Sequence, residues 1–405
     1  MVGYNHAKAL LERRYPVKFF PNGQGELVTN LSGALAYQSF RPTPLQQLSL
    51  LEFGPTDISL LLACARKLGE VEGMVRYVPN VSMYLTMYVR KEALLSAQIE
   101  GTQCTFDDVL DPMHSTLFYK DVADVVHYVD AMTYAMQRMD ELPLCIRLLK
   151  EAHERLLGNA RGSEKQPGTL RASQNWIGPG GCTLATASYV PPNVDDMRHA
   201  LADLEVYIHA SSAIDPVVKA ALVHYQFETI HPFLDGNGRL GRLLITLSLI
   251  NDGALTNAAF YPSYEFKARR AEYYERLTAV RERGDYLGWV RFFAECMLAS
   301  AEDACCSMAA LVELHEKTVQ TIREAMPRNS AAGAHLLDVL EEHPIVSVPF
   351  VEEKMGISRT SASKLVKEFE GLGILRSTDQ SRRRYRTYGY EEYLAILRAG
   401  SDPIR

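Results

Sequence analysis

Twelve consecutive residues gather the chain's most reactive side chains: His231-Pro232-Phe233-Leu234-Asp235-Gly236-Asn237-Gly238-Arg239-Leu240-Gly241-Arg242. Pro232 disfavours the α region for the residue before it, so a preceding helix stops at His231 and leaves the imidazole at a loop entrance. An unperturbed imidazole is mostly neutral at pH 7 and accepts a proton from a hydroxyl. Gly236, Asn237 and Gly238 tolerate positive φ, which lets successive backbone N–H groups turn toward one anion. A helix starting directly afterwards adds unpaired N–H donors and the positive end of its dipole. Arg239 and Arg242 stand three apart in its first turn and lean toward the same anion. Asp235, beside a phosphate-sized nest, is where a Mg²⁺ bridging phosphates would be held. Singly, these features are ordinary: Gly-Asn-Gly is commonly a turn and an arginine pair a solvated face. Together they describe phosphoryl-type chemistry, which needs positioning and charge neutralisation more than covalent help.

The elements that must position this loop are mostly helical. Asp215-Pro216 is a helix start, with Asp as cap and Pro in the first turn, and that helix runs to about Thr229. Another covers roughly 238–250. Apolar residues at helical spacing (Ile58, Leu61, Leu62, Ala65, Leu68) predict a helix over 56–69, and a second runs over about 81–100. Gly101 follows it, where a left-handed cap belongs. Helices are also expected over 119–158, 263–280 and 285–325. Residues 160–195 are broken by Gly and Pro, with β-like pieces at 175–177 and 187–190, and a hairpin or flap fits there. Residues 1–80 otherwise show only loose patterning and turn signals.

The twelve-residue stretch resembles the signature of the Fic family, His-Pro-Phe-x-(Asp/Glu)-Gly-Asn-Gly-Arg-x-x-Arg, at every specified position. The resemblance implies a protein adenylyltransferase that moves AMP from ATP to a Ser, Thr or Tyr hydroxyl and releases pyrophosphate. It implies that His231 deprotonates the target hydroxyl, Asp235 holds Mg²⁺, and Gly236 to Gly238 cradle the phosphates. Arg239, Leu240, Gly241 and Arg242 complete the implied nucleotide site, with Arg242 on the γ-phosphate and Tyr274 lining the adenine pocket. Phe227-Glu228-Thr229-Ile230 fits the family's approach helix. Arg171 to Gly178 and Ala187-Ser188-Tyr189-Val190 look like its target-docking flap, which holds a target segment by strand addition.

Ser96-Ala97-Gln98-Ile99-Glu100-Gly101 places Ser96 and Glu100 on one helical face. A carboxylate at a helix C-terminus is disfavoured by the dipole and needs a partner. The segment resembles the Fic inhibitory helix, Ser/Thr-x-x-x-Glu-Gly/Asn, which implies that Glu100 pairs with Arg242 where the γ-phosphate would sit. A de-AMPylating enzyme, in which Glu100 positions a water, stays open.

At 405 residues, 47% hydrophobic and 23% charged, the composition excludes wholesale disorder, and no apolar run approaches a bilayer span. The first twenty residues lack a signal-type apolar stretch, and seven cysteines show no metal spacing, so a cytoplasmic setting and no membrane partner are the expectation. The net charge of −6 conceals an asymmetry: residues 356–390 carry eight positive and three negative side chains, +5, leaving −11 elsewhere. That tail reads helix, helix-turn-helix (348–355 and 358–372), then two strands, the winged-helix order. Arg359 opens its recognition helix and Arg382, Arg383 and Arg384 fall in its wing, where they would reach a DNA backbone. A DNA-binding regulator whose Fic core only senses nucleotide is therefore the alternative; retention of His231 argues against it, because sensing ATP needs no base. The expected fold is mainly α: an N-terminal helical region carrying the inhibitory helix (1–118), a Fic core with a β-hairpin flap (119–300), a linker helix (301–327) and a winged helix (328–405). The expected partners are ATP, an unidentified target protein, the chain itself as a substrate, and DNA; for oligomeric state a homodimer is the default.

Overall fold

The computed structural model describes residues 24–48, 51–77, 81–110, 120–158, 165–210, 214–378 and 386–403. Strands β1 (Gly25–Asn30) and β2 (Tyr37–Pro42) form an antiparallel hairpin in the register Gly25↔Pro42 to Asn30↔Tyr37. Helices α1 (Pro55–Tyr77), α2 (Val81–Ile99), α3 (Phe106–Leu110), α4 (Lys120–Arg138) and α5 (Ile146–Leu157) follow. Next come α6 (Val194–His209), α7 (Pro216–Ile230), α8 (Asn237–Asn251), α9 (Ser263–Ala268), α10 (Arg270–Arg283) and α11 (Tyr286–Ala325). The tail holds α12 (Ser330–Glu342), β3 (Ile345–Ser347), α13 (Val348–Met355), α14 (Arg359–Gly371), β4 (Arg376–Ser377), β5 (Thr387–Gly389) and α15 (Glu391–Arg398). The fold is mainly α, as its sequence periodicities require.

The centre of the molecule is α7, which is buried from Val217 to Ile230. A helix that is apolar on nearly every side can only be a core helix. It begins as its sequence dictates: Asp215 Oδ1 accepts from the N–H groups of Val217 and Val218, at 2.9 and 3.3 Å, with Pro216 in the first turn. It ends at His231, whose φ of 49° and ψ of 62° place it in the left-handed region. The loop after it returns the chain as α8, which packs on α7. The hairpin β1–β2 is absent from the sequence reading, because Gly-Glu-Leu-Val-Thr-Asn and Tyr-Gln-Ser-Phe-Arg-Pro alternate too weakly to announce strands. What fixes it is tertiary: Phe40 N–H donates to Val190 O at 3.0 Å, and Arg41 pairs with Asp196 at 2.9 Å. The flap is slighter than the hairpin expected. A single antiparallel bridge, Ile177↔Tyr189, joins its two arms, because Gly178-Pro179-Gly180-Gly181 interrupts any longer ladder.

The segment expected as a separate linker helix is the continuation of α11, a 40-residue helix that runs out of the core toward the tail. In the tail, β3, β5 and β4 form a small antiparallel sheet in that order. The tail thus runs helix, strand, helix, helix, strand, strand, helix, with β3 and α15 added to what periodicity predicts. Arg382, Arg383 and Arg384 lie outside the described residues. Helix α2 is sandwiched between core and tail: it packs on α4, α8 and α9, and on α12 of the tail, where Arg90 donates to Glu342 O at 3.4 Å.

Candidate active site

His231 is set by backbone geometry before any side chain acts. In the left-handed conformation its carbonyl turns away from α7, and two side chains capture it: Arg171 Nε at 3.0 Å and Asn175 Nδ2 at 3.2 Å. Arg171 is fully buried and also donates to the carbonyls of Ser173 and Pro192, so one guanidinium ties the motif loop to the base of the flap. Sequence reasoning placed Arg171 in the flap without this role; an arginine inside a Gly/Pro-rich segment was its only trace. Arg171→Ala takes a donor from the carbonyls of His231, Ser173 and Pro192, the last of them in a buried residue, and is expected to cost about 2–4 kcal/mol of stability, read as a lowered denaturation midpoint.

Burial is the main force on the His231 ring, pushing its pKa down to about 4, so the imidazole is neutral at pH 7. Its Nδ1 is buried without a hydrogen-bond partner, while the Glu228 carbonyl lies near enough to favour a proton on the ring. Two other histidines, missed in the sequence, brace the loop and helix. Gly168 N–H donates to His153 Nδ1 at 2.9 Å, which leaves Nε2 to donate to the Asp235 carbonyl at 2.9 Å. His224 Nδ1 donates to Gly241 O at 2.8 Å, and its Nε2 accepts from Tyr273 OH at 2.8 Å. Burial depresses both, to about 4 and about 3. They are structural imidazoles held as single tautomers.

The anion nest differs slightly from expectation. Gly236, at φ 77°, gives its N–H to Asp235 Oδ1 at 2.7 Å, so that amide is already spent. The N–H groups of Asn237, Gly238 and Arg239 precede the first helical bond, Leu240 N to Gly236 O, and lie at the positive end of α8. The Asn237 side chain turns inward, where Oδ1 accepts from Phe233 N–H at 2.9 Å and Nδ2 donates to Phe233 O at 2.8 Å, and so it shapes the loop. Leu240 and Gly241, implied as nucleotide residues, face away from the cavity. Leu240 is fully buried, and a Cβ on Gly241 would stand 2.2 Å from Glu228 Oε1.

A cavity of about 1280 Å³ opens over this loop, lined by His231, Asp235, Gly238, Arg239, Arg242 and Tyr274, with Ala187, Ser188, Tyr189 and Val190 of the flap on its far side. Tyr189 is fixed there by its hydroxyl, which donates to Thr229 O at 2.7 Å, and by the Arg281 guanidinium 4.1 Å from its ring centre. The hairpin adds Leu27, Tyr37 and Phe40 to the same wall.

Both motif arginines meet carboxylates from the N-terminal helices. Arg242, 1% exposed, donates from Nη2 to Glu100 Oε1 at 2.8 Å, from Nε to Ser96 Oγ at 2.8 Å and from Nη2 to Ser96 O at 2.9 Å. Burial works against the Glu100 charge, but Arg242, then Arg239 and His231, outweigh it and hold the carboxyl below its ordinary range. Glu100 ends α2 in a Schellman arrangement: Gly101 (φ 98°) donates to Gln98 O at 3.0 Å and Thr102 to Ala97 O at 3.2 Å. Its carboxylate overlies the nest, since a Cβ on Gly238 would fall 2.3 Å from Glu100 Oε1. Arg239 faces Asp124 of α4 at 3.2 Å, both nearly buried. Asp124 was missed, although an acid beside the apolar stripe of Val122, Val125 and Tyr128 calls for a partner. Glu228, buried and lifted by burial to about 7, completes the charged ring.

Residues 143–249 match the model described as Fic/DOC family, and residues 58–137 match the Fic/DOC family N-terminal model. The hairpin lies outside both. A curated relative, "Protein adenylyltransferase Fic" of Drosophila virilis, is 28% identical over 254 residues, 62% of this chain and 45% of its own. The protein of that name from Drosophila ananassae is 30% identical over 219 residues, 53% of this chain and 39% of its own. The chain thus spans less than half the length of these relatives. A solved Fic family protein from Desulfovibrio desulfuricans G20 shares the fold, with a TM-score of 0.52 and 20% identity over 84% of this chain and 97% of that one. Residues 58–137 and 143–249 are thus similar to the two Fic/DOC family models.

Proposed function

We propose that the protein transfers AMP from ATP to a hydroxyl of a protein, with release of pyrophosphate, and that Glu100 restrains it. The observation that carries this reading is a neutral, half-buried imidazole at the lip of a cavity whose floor is a helix N-terminus flanked by two arginines. His231 takes the proton of the incoming hydroxyl; the oxygen bonds to the α-phosphorus as the bond from that phosphorus to the bridging oxygen breaks, and pyrophosphate carries the electron pair away. The first N–H groups of α8 and the two arginines receive the phosphate chain. Arg242 takes the γ-phosphate once Glu100 has left it. Tyr274 lines the nucleotide end, and residues 187–190 take the target segment. The relatives named as protein adenylyltransferases support this reading.

The residues suit Mg²⁺ held in part by substrate. Asp235 is exposed to the cavity with one oxygen on Gly236 N–H, and among the described residues no group of three or more His, Cys, Asp or Glu could hold a metal. One carboxylate plus phosphates is the usual Mg²⁺ set, and the ion would neutralise charge on the phosphate chain. The chemistry is tested by label position. ATP labelled at the α-phosphate should leave covalent label on protein, and ATP labelled at the γ-phosphate should leave none; the reverse pattern would mean phosphoryl transfer.

For the tail we propose a winged-helix module that contacts DNA. Ser358, Arg359, Thr360, Ser361, Lys364 and Lys367 are exposed along α14 while Ala362, Leu365, Val366 and Phe369 are buried, so the polar face is presented outward. A gel shift should show binding that weakens steeply with salt and weakens further in Arg359→Ala. Binding indifferent to both would contradict DNA contact. Among the described residues no helix is long and apolar enough to cross a membrane.

A further inference from the structure

Glu100 sits at the last turn of α2, and that turn is held from three sides. Arg242 of α8 takes Ser96 and Glu100, as described. From α10, Arg270 Nε donates to the Ile99 carbonyl at 2.9 Å. The third hold comes from the far end of the chain. Gln98 Nε2 donates to Ser401 O at 2.8 Å and to Cys104 O at 3.0 Å. Gln98 is 1% exposed, and its Oε1 is buried without a partner.

Ser401 belongs to a short strap, residues 398–403, that leaves α15 and lies against the core. Arg398 anchors it with two bonds to Asp107, Nε to Oδ1 at 2.7 Å and Nη2 to Oδ2 at 2.8 Å. Lys267 Nζ donates to Gly400 O at 2.9 Å and also to Asp402 O. Gly400 is required by geometry: its φ is 70°, and a Cβ there would stand 2.2 Å from the Tyr264 ring. The strap is thus keyed to α9, to the segment after α2 and, through Gln98, to α2 itself.

An amide that spends both hydrogens on two carbonyls fixes its own position and theirs. With the strap gone, one buried donor of Gln98 loses its acceptor, which a buried turn relaxes to avoid. Glu100 follows two residues later at the negative end of the helix, where Arg242 must hold it against the dipole. We propose that Gln98 is a positioning residue for Glu100, and that the C-terminal strap is part of the restraint: freeing the strap loosens Glu100 from Arg242 and opens the γ-phosphate position. This rests on reading Glu100 as the inhibitory carboxylate. It joins the tail module to the active site through one continuous path of bonds.

The test uses the full chain with Arg398→Ala and Lys267→Met combined, which cut the strap's outer ties without touching the cavity. ATP affinity is measured by calorimetry, alongside amide hydrogen exchange over residues 96–104. The expected result is ATP bound about fivefold tighter or more, with faster exchange at residues 99–104. In a Glu100→Gly background the same two substitutions should change ATP affinity less than about twofold, because the restraint is already absent. Unchanged ATP affinity in the strap variant, with or without a lowered melting temperature, would overturn the proposal; so would an equal gain in the Glu100→Gly background. Gln98→Met, keeping length without donors, should match the strap variant in affinity. Because binding is the readout, the outcome is independent of whether AMP is transferred, which the labelling experiment decides separately.

Discussion

His231→Ala is expected to lower AMP transfer at least about a thousandfold while leaving ATP affinity within about twofold. General bases contribute roughly 10²–10⁴ in rate. No other imidazole stands ready to replace this one: His153 and His224 are engaged at both nitrogens. The phosphate contacts come from α8 and its arginines, so binding should survive and the loss should fall on kcat. Alanine pays about 1–2 kcal/mol in the left-handed conformation found here, at φ 49°. His231→Asn, which tolerates that conformation, is the matched control and should be equally inactive. The pH profile offers a second check. A ring held near a pKa of about 4 is neutral throughout neutral and mildly acidic solution. As the base it should keep the rate level from pH 8 to about 5, with the fall coming only as the ring protonates below that. An ordinary histidine would begin to fail near pH 6.5.

Glu100→Gly should have the largest effect in the opposite direction, with ATP binding and AMP transfer each rising on the order of a hundredfold. The Glu100–Arg242 pair is 2.8 Å long, with Arg242 buried to 1% exposure. A phosphate entering must displace a carboxylate that the buried guanidinium already neutralises. The Glu100 side chain is 41% exposed, so only the arginine side of the pair is buried; close charge pairs couple by about 1.5–7 kcal/mol, and about 2.8 kcal/mol of that corresponds to a hundredfold. Removing Glu100 also clears the space above Gly238, where its Oε1 now blocks access to the N–H groups of α8. The same change leaves Arg242 without its counter-charge, so the nucleotide-free protein should lose about 3–5 kcal/mol of stability. Saturating ATP should restore much of it. Activity rising while apo stability falls is the signature of a restraint that is also a structural ion pair. Equal ATP affinity in variant and parent would remove Glu100 from that role.

What the sequence makes legible here is what its neighbours along the chain determine. Asp215 and Pro216 start α7, Pro232 stops it, and Gly101 closes α2, because caps are built from residues within a turn of one another. The loop 231–242 carries its chemistry contiguously and announces itself. Pairing across distance does not. Ser96 and Arg242 lie 146 residues apart, and only a resemblance joined Glu100 to Arg242 in advance. Asp124 beside Arg239, Arg171 beneath His231 and Gln98 against Ser401 have no local cue beyond a polar residue where an apolar one was due. The hairpin β1–β2 is read by its docking on the flap, not by its alternation. Leu240 and Gly241 show the opposite failure. A motif names positions by contiguity, but a helix turns one residue in three toward the ligand and the next two into the core.

The central claim is that this core moves an AMP unit and that Glu100 holds it back. Intact-mass spectrometry of the Glu100→Gly protein after incubation with ATP and Mg²⁺ tests both at once. The expected spectrum shows the chain heavier by AMP units, with the parent almost unmodified and Glu100→Gly/His231→Ala entirely so. A Glu100→Gly protein that keeps its unmodified mass, while binding ATP, would contradict the account.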